Sequence, residues 1–305
     1  MNREIPIFYA CDDNFVKFTM VSAQSMMDNA DPNRKYHIHV LHAGVSDEMY
    51  AAMMAMEREN FKISFDDVTD YLRSINDKLP LRDYYTRTTY FRLFIAEMFP
   101  QYDKAIYIDS DTIVLGDISK MYDYDLKENY VGACNEQAMV QNDHYGTYVE
   151  KVVGVNRYEY FNAGVLLLNC RLFRAHKLLD KFVRLLHEVV FAVTQDEDYL
   201  NAICKDRVLW LPQGWNTEMF GKLPVTEDEM YVVHYIMVSK PWHYTDCRMQ
   251  EKFWHYADKT SVAPLIHAIL DNYTDEERRR DEESAVCLEQ LAIDEVAKVD
   301  ERRFA

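Results

Sequence analysis

Short apolar runs, rich in β-branched and aromatic residues, recur along the chain, and stretches with helical spacing separate them. Ile5 to Ala10 predicts a buried first strand ending at Asp12, Asp13 and Asn14. Phe15 to Met27 has its apolar residues on one helical face. Tyr36 to Leu41 alternates as a second strand. Ser46, in N-cap position, opens a helix to about Glu59, and Phe61 to Phe65 is a third strand. The order β-α-β-α-β predicts an α/β fold with a mostly parallel central sheet and flanking helices.

The pattern continues with a helix over Tyr84 to Phe99 and strands at Ala105 to Ile108, Ile113 to Leu115 and Tyr130 to Ala133. Tyr160 to Asn169 reads as one buried strand with a polar break at Asn162. Arg171 to Val193 is amphipathic and helical. Asp196, Glu197 and Asp198 open the next helix, where its positive end favours carboxylates. Tyr231 to Tyr235 is a late strand. From about Phe253 the rhythm changes, and Thr274 to Val299 reads as a charged helix. The expected division is therefore an α/β domain over 1–252 and a C-terminal helical appendage with a solvated face over 253–305.

The chemistry gathers where the 105–108 strand stops, at Asp109 and Asp111. Two carboxylates at the end of a buried strand are costly unless something positive sits there, and a divalent cation suits carboxylate oxygens. Composition alone yields roughly three Asp-x-Asp matches, so the motif means little by itself. Asp123/Asp125 and Asp196/Asp198 also match, but only the first pair has apolar strands on both sides. A capped, solvated turn is the bland alternative. In parallel sheets ligands sit beyond the carboxyl ends of strands, so the acids after Ala10 and after Ile108 converge on one crevice.

Composition narrows the partners. The formal net charge is −17. Nucleic acid and anionic membrane surfaces are poor partners for such a chain, and an anionic nucleotide needs a cation or local basic residues. Arg278, Arg279 and Arg280 offer a peripheral contact to membrane phosphate, but the acids on both sides make a solvated helix face the better reading. No run of apolar residues is long enough for a transmembrane helix, and the N-terminus lacks a signal-peptide pattern. The six cysteines are scattered without a C-x-x-C, which suits a reducing cytoplasm. Neither G-x-G-x-x-G nor a Walker A loop is present, so any nucleotide is held without a glycine cradle.

Five segments, in order, carry a resemblance. They are Phe8 to Asn14, Thr88 to Leu93, Tyr107 to Asp111, Tyr160 to Val165, and His234 to Trp242. Gln195 to Asp198 matches in part. Over about Ile5 to Trp242 the chain resembles glycosyltransferase family 8, retaining enzymes that use nucleotide sugars on a GT-A fold. The resemblance implies that Asp109, Asp111 and His234 ligate a divalent metal, Mn²⁺ or alternatively Mg²⁺. It implies that Ala10, Asp12 and Asn14 hold the uracil and ribose of a UDP-sugar, and that Lys240 meets the diphosphate. Arg92, Asn162 and Asp196 would bind the donor hexose, and Glu136 aligns with an acidic position near it. The expected reaction moves galactose or glucose from UDP to a glycan acceptor, with Asp196, Glu197 and Asn162 at the reacting carbon.

Two positions depart from the family pattern. Glu197 stands where glutamine is common, and Met237 stands where the H-x-x-G-x-x-K-P-W pattern has glycine. Both leave room for a catalytically weak UDP-sugar-binding protein. A sugar nucleotidyltransferase is a second alternative. Such enzymes carry a glycine- and lysine-rich loop after the first strand, where this chain has Asp12, Asp13 and Asn14.

Overall fold

A computed structural model describes residues 4–75 and 87–304. Strands β1 (Ile5–Ala10), β2 (Tyr36–His42) and β3 (Phe61–Asp67) run parallel, with Ile7 opposite Ile38 and Ile38 opposite Ile63. The crossovers are α1 (Val16–Asn29) and α2 (Asp47–Met54). Ser46 caps α2 by accepting from the Met49 amide at 3.4 Å, and that helix stops well short of Glu59. Then come α3 (Thr69–Ile75), a 3₁₀ turn over Arg87–Tyr90, α4 (Phe91–Met98), β4 (Ala105–Ile108), β5 (Thr112–Val114) and α5 (Ile118–Tyr122). The helix expected from Tyr84 is thus α-helical only from Phe91, and its first residues, 84–86, lie outside those described.

The second half holds β6 (Val131–Ala133), α6 (Gln137–Gln141), α7 (Asp143–Tyr148), β7 (Val165–Leu168), α8 (Cys170–Ala175) and α9 (Leu178–Glu188). It continues with α10 (Asp196–Cys204), β8 (Val208–Trp210), β9 (Thr217–Glu218), β10 (Val232–His234), α11 (Gln250–Ala257), α12 (Ala263–Asn272) and α13 (Asp275–Phe304).

The main sheet has the order β3-β2-β1-β4-β7-β6-β8, and β7 runs antiparallel to both its neighbours. A small sheet, β5-β10-β9, lies beyond it. β2 flanks β1 on one side and β4 on the other, with Ile7 opposite Ile106. This reversal of strand order opens a crevice at the carboxyl ends of β1 and β4. Side chains alternate across the sheet as the pleat requires. Ile5, Ile7 and Tyr9 meet α1, while Phe8, Tyr107 and Leu166 meet α4, α8, α9 and α10.

Two expected elements are broken. The strand expected from Tyr160 is regular only over Val165–Leu168, because Phe161 pairs singly with Asn135 and Asn162 gives its amide to Cys134 O at 3.0 Å. The helix expected over 171–193 is split, since Lys177 adopts φ +52°. Leu178, Phe182 and Leu186 then restart an i, i+4 stripe towards the core. The charged terminal helix forms as expected, with Thr274 and Glu277 bonding reciprocally at its start. Arg278 covers the rings of Tyr244 and Tyr273, and Arg280 pairs with Glu276. Leu288, Leu291 and Ala292 on its other side pack against Met139, Tyr145 and Tyr148. Among the described residues no helix is long and apolar enough to cross a membrane.

Candidate active site

The turn that carries Asp109 and Asp111 hangs from α1. Thr19, Ser22 and Ser25 lie three apart on that helix and are all buried. The Tyr9 and Ser22 hydroxyls stand 2.9 Å apart, Ser22 and Thr112 2.8 Å, and Thr112 Oγ1 donates to Asp109 O at 2.8 Å. Thr19 bonds Ser110, and Ser25 Oγ accepts from the Val114 amide at 2.8 Å. Such a run of hydroxyls polarises its members and specifies one backbone path for the turn.

At that turn, one carboxylate oxygen each from Asp109 and Asp111 and one nitrogen of His234 all lie within 4.8 Å of one another. Lys240 Nζ is 2.6 Å from Asp111 Oδ2, and His234 Nε2 is 3.2 Å from Asp111 Oδ1. Burial raises the Asp111 carboxyl, but Lys240 and His234 outweigh it and hold the group far below the usual carboxylate range. Asp109 goes the other way: burial raises it, and Arg92, whose Nη2 is 3.3 Å from Oδ1, offsets part of the rise. Tyr107 donates to the same oxygen at 2.6 Å.

The imidazole's orientation follows from a backbone amide. The Gly164 N–H donates to Asn162 Oδ1 at 2.8 Å, so that oxygen is an acceptor. Asn216 therefore presents Nδ2 to it, also at 2.8 Å, and turns Oδ1 to His234 Nδ1 at 3.0 Å. Nδ1 carries the hydrogen, so Nε2 is the nitrogen turned to the carboxylates, where a cation could take the place of its proton. Gly164 admits no side chain: an added Cβ would strike His234 Cε1 and stand 2.7 Å from Asp109 Oδ2. The donor set and its hydrogen-bonded outer partners fit a hard or borderline dication.

Behind this set lies a second group of acids. Arg92, buried, reaches Asp109 and, with Nε at 2.9 Å, Asp196 Oδ2. That nitrogen's hydrogen points to Thr89 O at 3.1 Å, so Asp196 Oδ2 has the charge beside it but no aligned hydrogen bond. Burial pushes Asp196 up to about 7 against the pull of Arg92, and Asp109 adds to the rise. Arg92 Nη1 also donates to Ala163 O, while the Ala163 amide donates to Glu197 Oε2 at 2.8 Å. Arg92 and Glu197 thus grip opposite sides of one residue. Burial, then Glu136, drive Glu197 well above its ordinary value. Glu218 is 0% exposed and is raised well above its usual range by burial and by Glu136. Its Oε2 accepts from the Gln137 amide at 2.8 Å, and Oε1 has no partner.

The crevice between the strand ends is lined by Ala10, Asp12, Arg92, Asp109 and Asp111, with Tyr107 behind. Asn14 is exposed beyond that lining, its carbonyl accepting from Lys17. Asn162 is buried among Glu136, Gly164 and Asn216, its carbonyl oxygen already used twice. Glu136 caps α6 through the Ala138 amide. Met237 takes φ +57°, a left-handed conformation that costs a non-glycine residue roughly 1 kcal/mol. Glycine's habit is therefore kept at a position that holds methionine. Sequence reasoning missed Asn216 and Glu218. A polar Asn-Thr-Glu triplet beside Trp215 was the available signal, but nothing local marks it as buried.

Such a crevice at the strand-order reversal, closed by an imidazole from a small second sheet, defines a GT-A nucleotide-sugar transferase fold. The profile of the family described as "Glycosyl transferase family 8" matches residues 6–246, and the chain belongs to that family as a hexosyltransferase. It is similar to "Lipopolysaccharide glucosyltransferase WaaO" of Escherichia coli (strain K12), 28% identical over 262 residues, covering 79% of this chain and 74% of that one. It is also similar to "Lipopolysaccharide 1,3-galactosyltransferase" of Salmonella typhimurium, 26% identical over 282 residues, covering 87% and 80%. Among solved structures, the galactosyltransferase LgtC in complex with donor and acceptor sugar analogs superposes with a TM-score of 0.66 at 27% identity, covering 84% of this chain and 96% of that one. The apo bifunctional glycosyltransferase WbbM shares the fold, with a TM-score of 0.76 at 23% identity over 88% of this chain and 52% of its own.

Proposed function

We propose that the protein transfers galactose or glucose from UDP to a glycan acceptor with retention at the anomeric carbon, using Mn²⁺ or, less well, Mg²⁺. The observation that carries this reading is the meeting of Asp109, Asp111 and His234 at the end of a crevice lined by Ala10, Asp12 and Arg92. Those three would hold the cation, which supplies positive charge to a leaving diphosphate. Ala10 and Asp12 line the crevice where uridine would lie, with Asn14 at its mouth. Lys240 adds a point charge for the phosphates. Arg92, Asn162 and Asp196 face the hexose, with Glu136 behind Asn162.

Two carboxyls stand near the expected reacting carbon, and both are held towards their neutral forms. A neutral carboxyl is a poor nucleophile. This favours attack from the leaving-group side: the acceptor oxygen bonds the anomeric carbon as its bond to the diphosphate oxygen breaks. That oxygen keeps the electron pair and takes the acceptor's proton. Glu197, like an amide, then serves as a hydrogen-bonding group. Catalytic residues proper lie within 1–252, with 253–305 as the appendage. The six unpaired cysteines support a cytoplasmic setting.

The test is UDP release. Purified protein given UDP-galactose or UDP-glucose should liberate UDP with MnCl₂ and not with EDTA, and Asp111→Ala should lose the metal response. Tight Mn²⁺-dependent UDP-sugar binding with no release under any acceptor would leave only a binding protein.

A further inference from the structure

A cleft of about 170 Å³ opens beside the acid cluster, between α6, the backbone at 236–237 and α13. Glu136 and Glu197 stand at one end. Met139, Val193, Ile236, Met237 and Leu288 make most of the remaining wall. Its size is below the roughly 300–1,000 Å³ of pockets for whole ligands, so it takes one group of a larger molecule.

The wall is assembled against resistance. Met237 reaches it from a left-handed backbone that glycine would adopt without strain. It packs, as Ile236 and Leu288 do, against the buried cluster of Met139, Tyr145 and Val193, and Leu288 arrives from the far C-terminal helix. Separate stretches of chain therefore converge to line an apolar space next to the expected reacting carbon.

We propose that this cleft receives an apolar group of the acceptor, an aryl or alkyl aglycone carried beside the hydroxyl that takes the hexose. The proposal rests on the transferase reading above. A second sugar ring fits less well, because each hydroxyl it buries needs a partner. Beyond the two carboxyls the only polar side chains in the wall are Tyr145 and Thr194, and the Thr194 hydroxyl already meets that of Tyr160 at 2.7 Å. An aglycone needs no partners, and the thioethers of Met139 and Met237 adapt to a flat ring. Glu197 commits Oε2 to the Ala163 amide, leaving Oε1 for the acceptor hydroxyl.

Calorimetric titration of the protein with UDP and MnCl₂ tests this, using methyl and phenyl β-glucosides and β-galactosides. The phenyl glycoside should bind at least about tenfold tighter than the methyl glycoside of the same sugar. Met237→Gly and Leu288→Ala should each shrink that ratio to threefold or less. Met237→Gly also relieves backbone strain, so a folding defect is not its expected effect. The ratio is taken within one protein, so a uniform loss of affinity drops out. Equal binding, no binding of either glycoside, or a preference that survives both substitutions overturns the proposal. UDP release by the same preparation separates the two failures. Release without an aglycone preference rejects the cleft assignment, and a preference without release supports the cleft while rejecting the transferase.

Discussion

Two groups of acids lie side by side in this enzyme and are kept by opposite means. Asp109 and Asp111 are matched by Arg92, Lys240 and His234. Among the described residues no lysine or arginine makes an ion pair with Glu197 or Glu218, and burial drives both towards the protonated form. The first group is stabilised by charge, so a dication can take over from resident cations. The second has no such partner and is biased by burial towards its protonated form. Asp196 sits on the border, with Arg92 beside it and a carboxyl raised to about 7.

Removing the shared cation should do most damage. Arg92→Ala strands Asp109 and Asp196 in a buried site and should lower stability by about 3–5 kcal/mol, read by urea unfolding at pH 8. A much smaller loss would mean that the first group does not depend on paired charge. Gly164→Ala comes next. Its methyl displaces His234 from the acids, and Mn²⁺-dependent UDP release should fall roughly a hundredfold while the chain stays folded.

Asp196→Asn sharpens the border. The folded chain holds the Asp196 proton up to about pH 7, whereas the unfolded chain releases it near 4. The folded form thus binds more protons in that interval, and its stability falls as pH rises from about 4 to 7, then levels off. The asparagine variant should lose part of that decline, on the order of a kcal/mol or more, in urea midpoints at pH 5 and pH 8. Glu218→Gln should do least. It keeps the shape without the proton, so stability at pH 6 should stay within about 1 kcal/mol of wild type. Its melting temperature should fall less than that of wild type towards pH 9. A large loss at pH 6 would show that an ionised Glu218 is needed, and the contrast between the groups would collapse.

The strands at either side of the crevice were readable because β1 and β4 are apolar runs that end in acids, a signal contained in each segment. Joining His234 to them took the resemblance, since an imidazole between Val233 and Tyr235 looks like any core histidine. The interrupted pieces were not readable. Lys177 and Met237 take positive φ without being glycine, so composition gives no warning of the break or the bend. Asn216 is held by Asn162 and His234, and Glu218 lies in β9 against β10, contacts between distant stretches that no local pattern announces. The apolar stripe expected on α1 is there, but Thr19, Ser22 and Ser25 share its hidden face. Small hydroxyls in a helix read as neutral until their partners are known.

That hidden serine row bears on anyone who tries to toughen the protein. Alanine is the strongest helix former and the usual choice for stiffening a helix. At Ser25 it would leave the Val114 amide stranded, and at Ser22 it would cut the support of Thr112, both out of sight of any solvent-facing groove. A variant library built on helix preference alone would score those swaps as improvements and quietly disarm the catalyst.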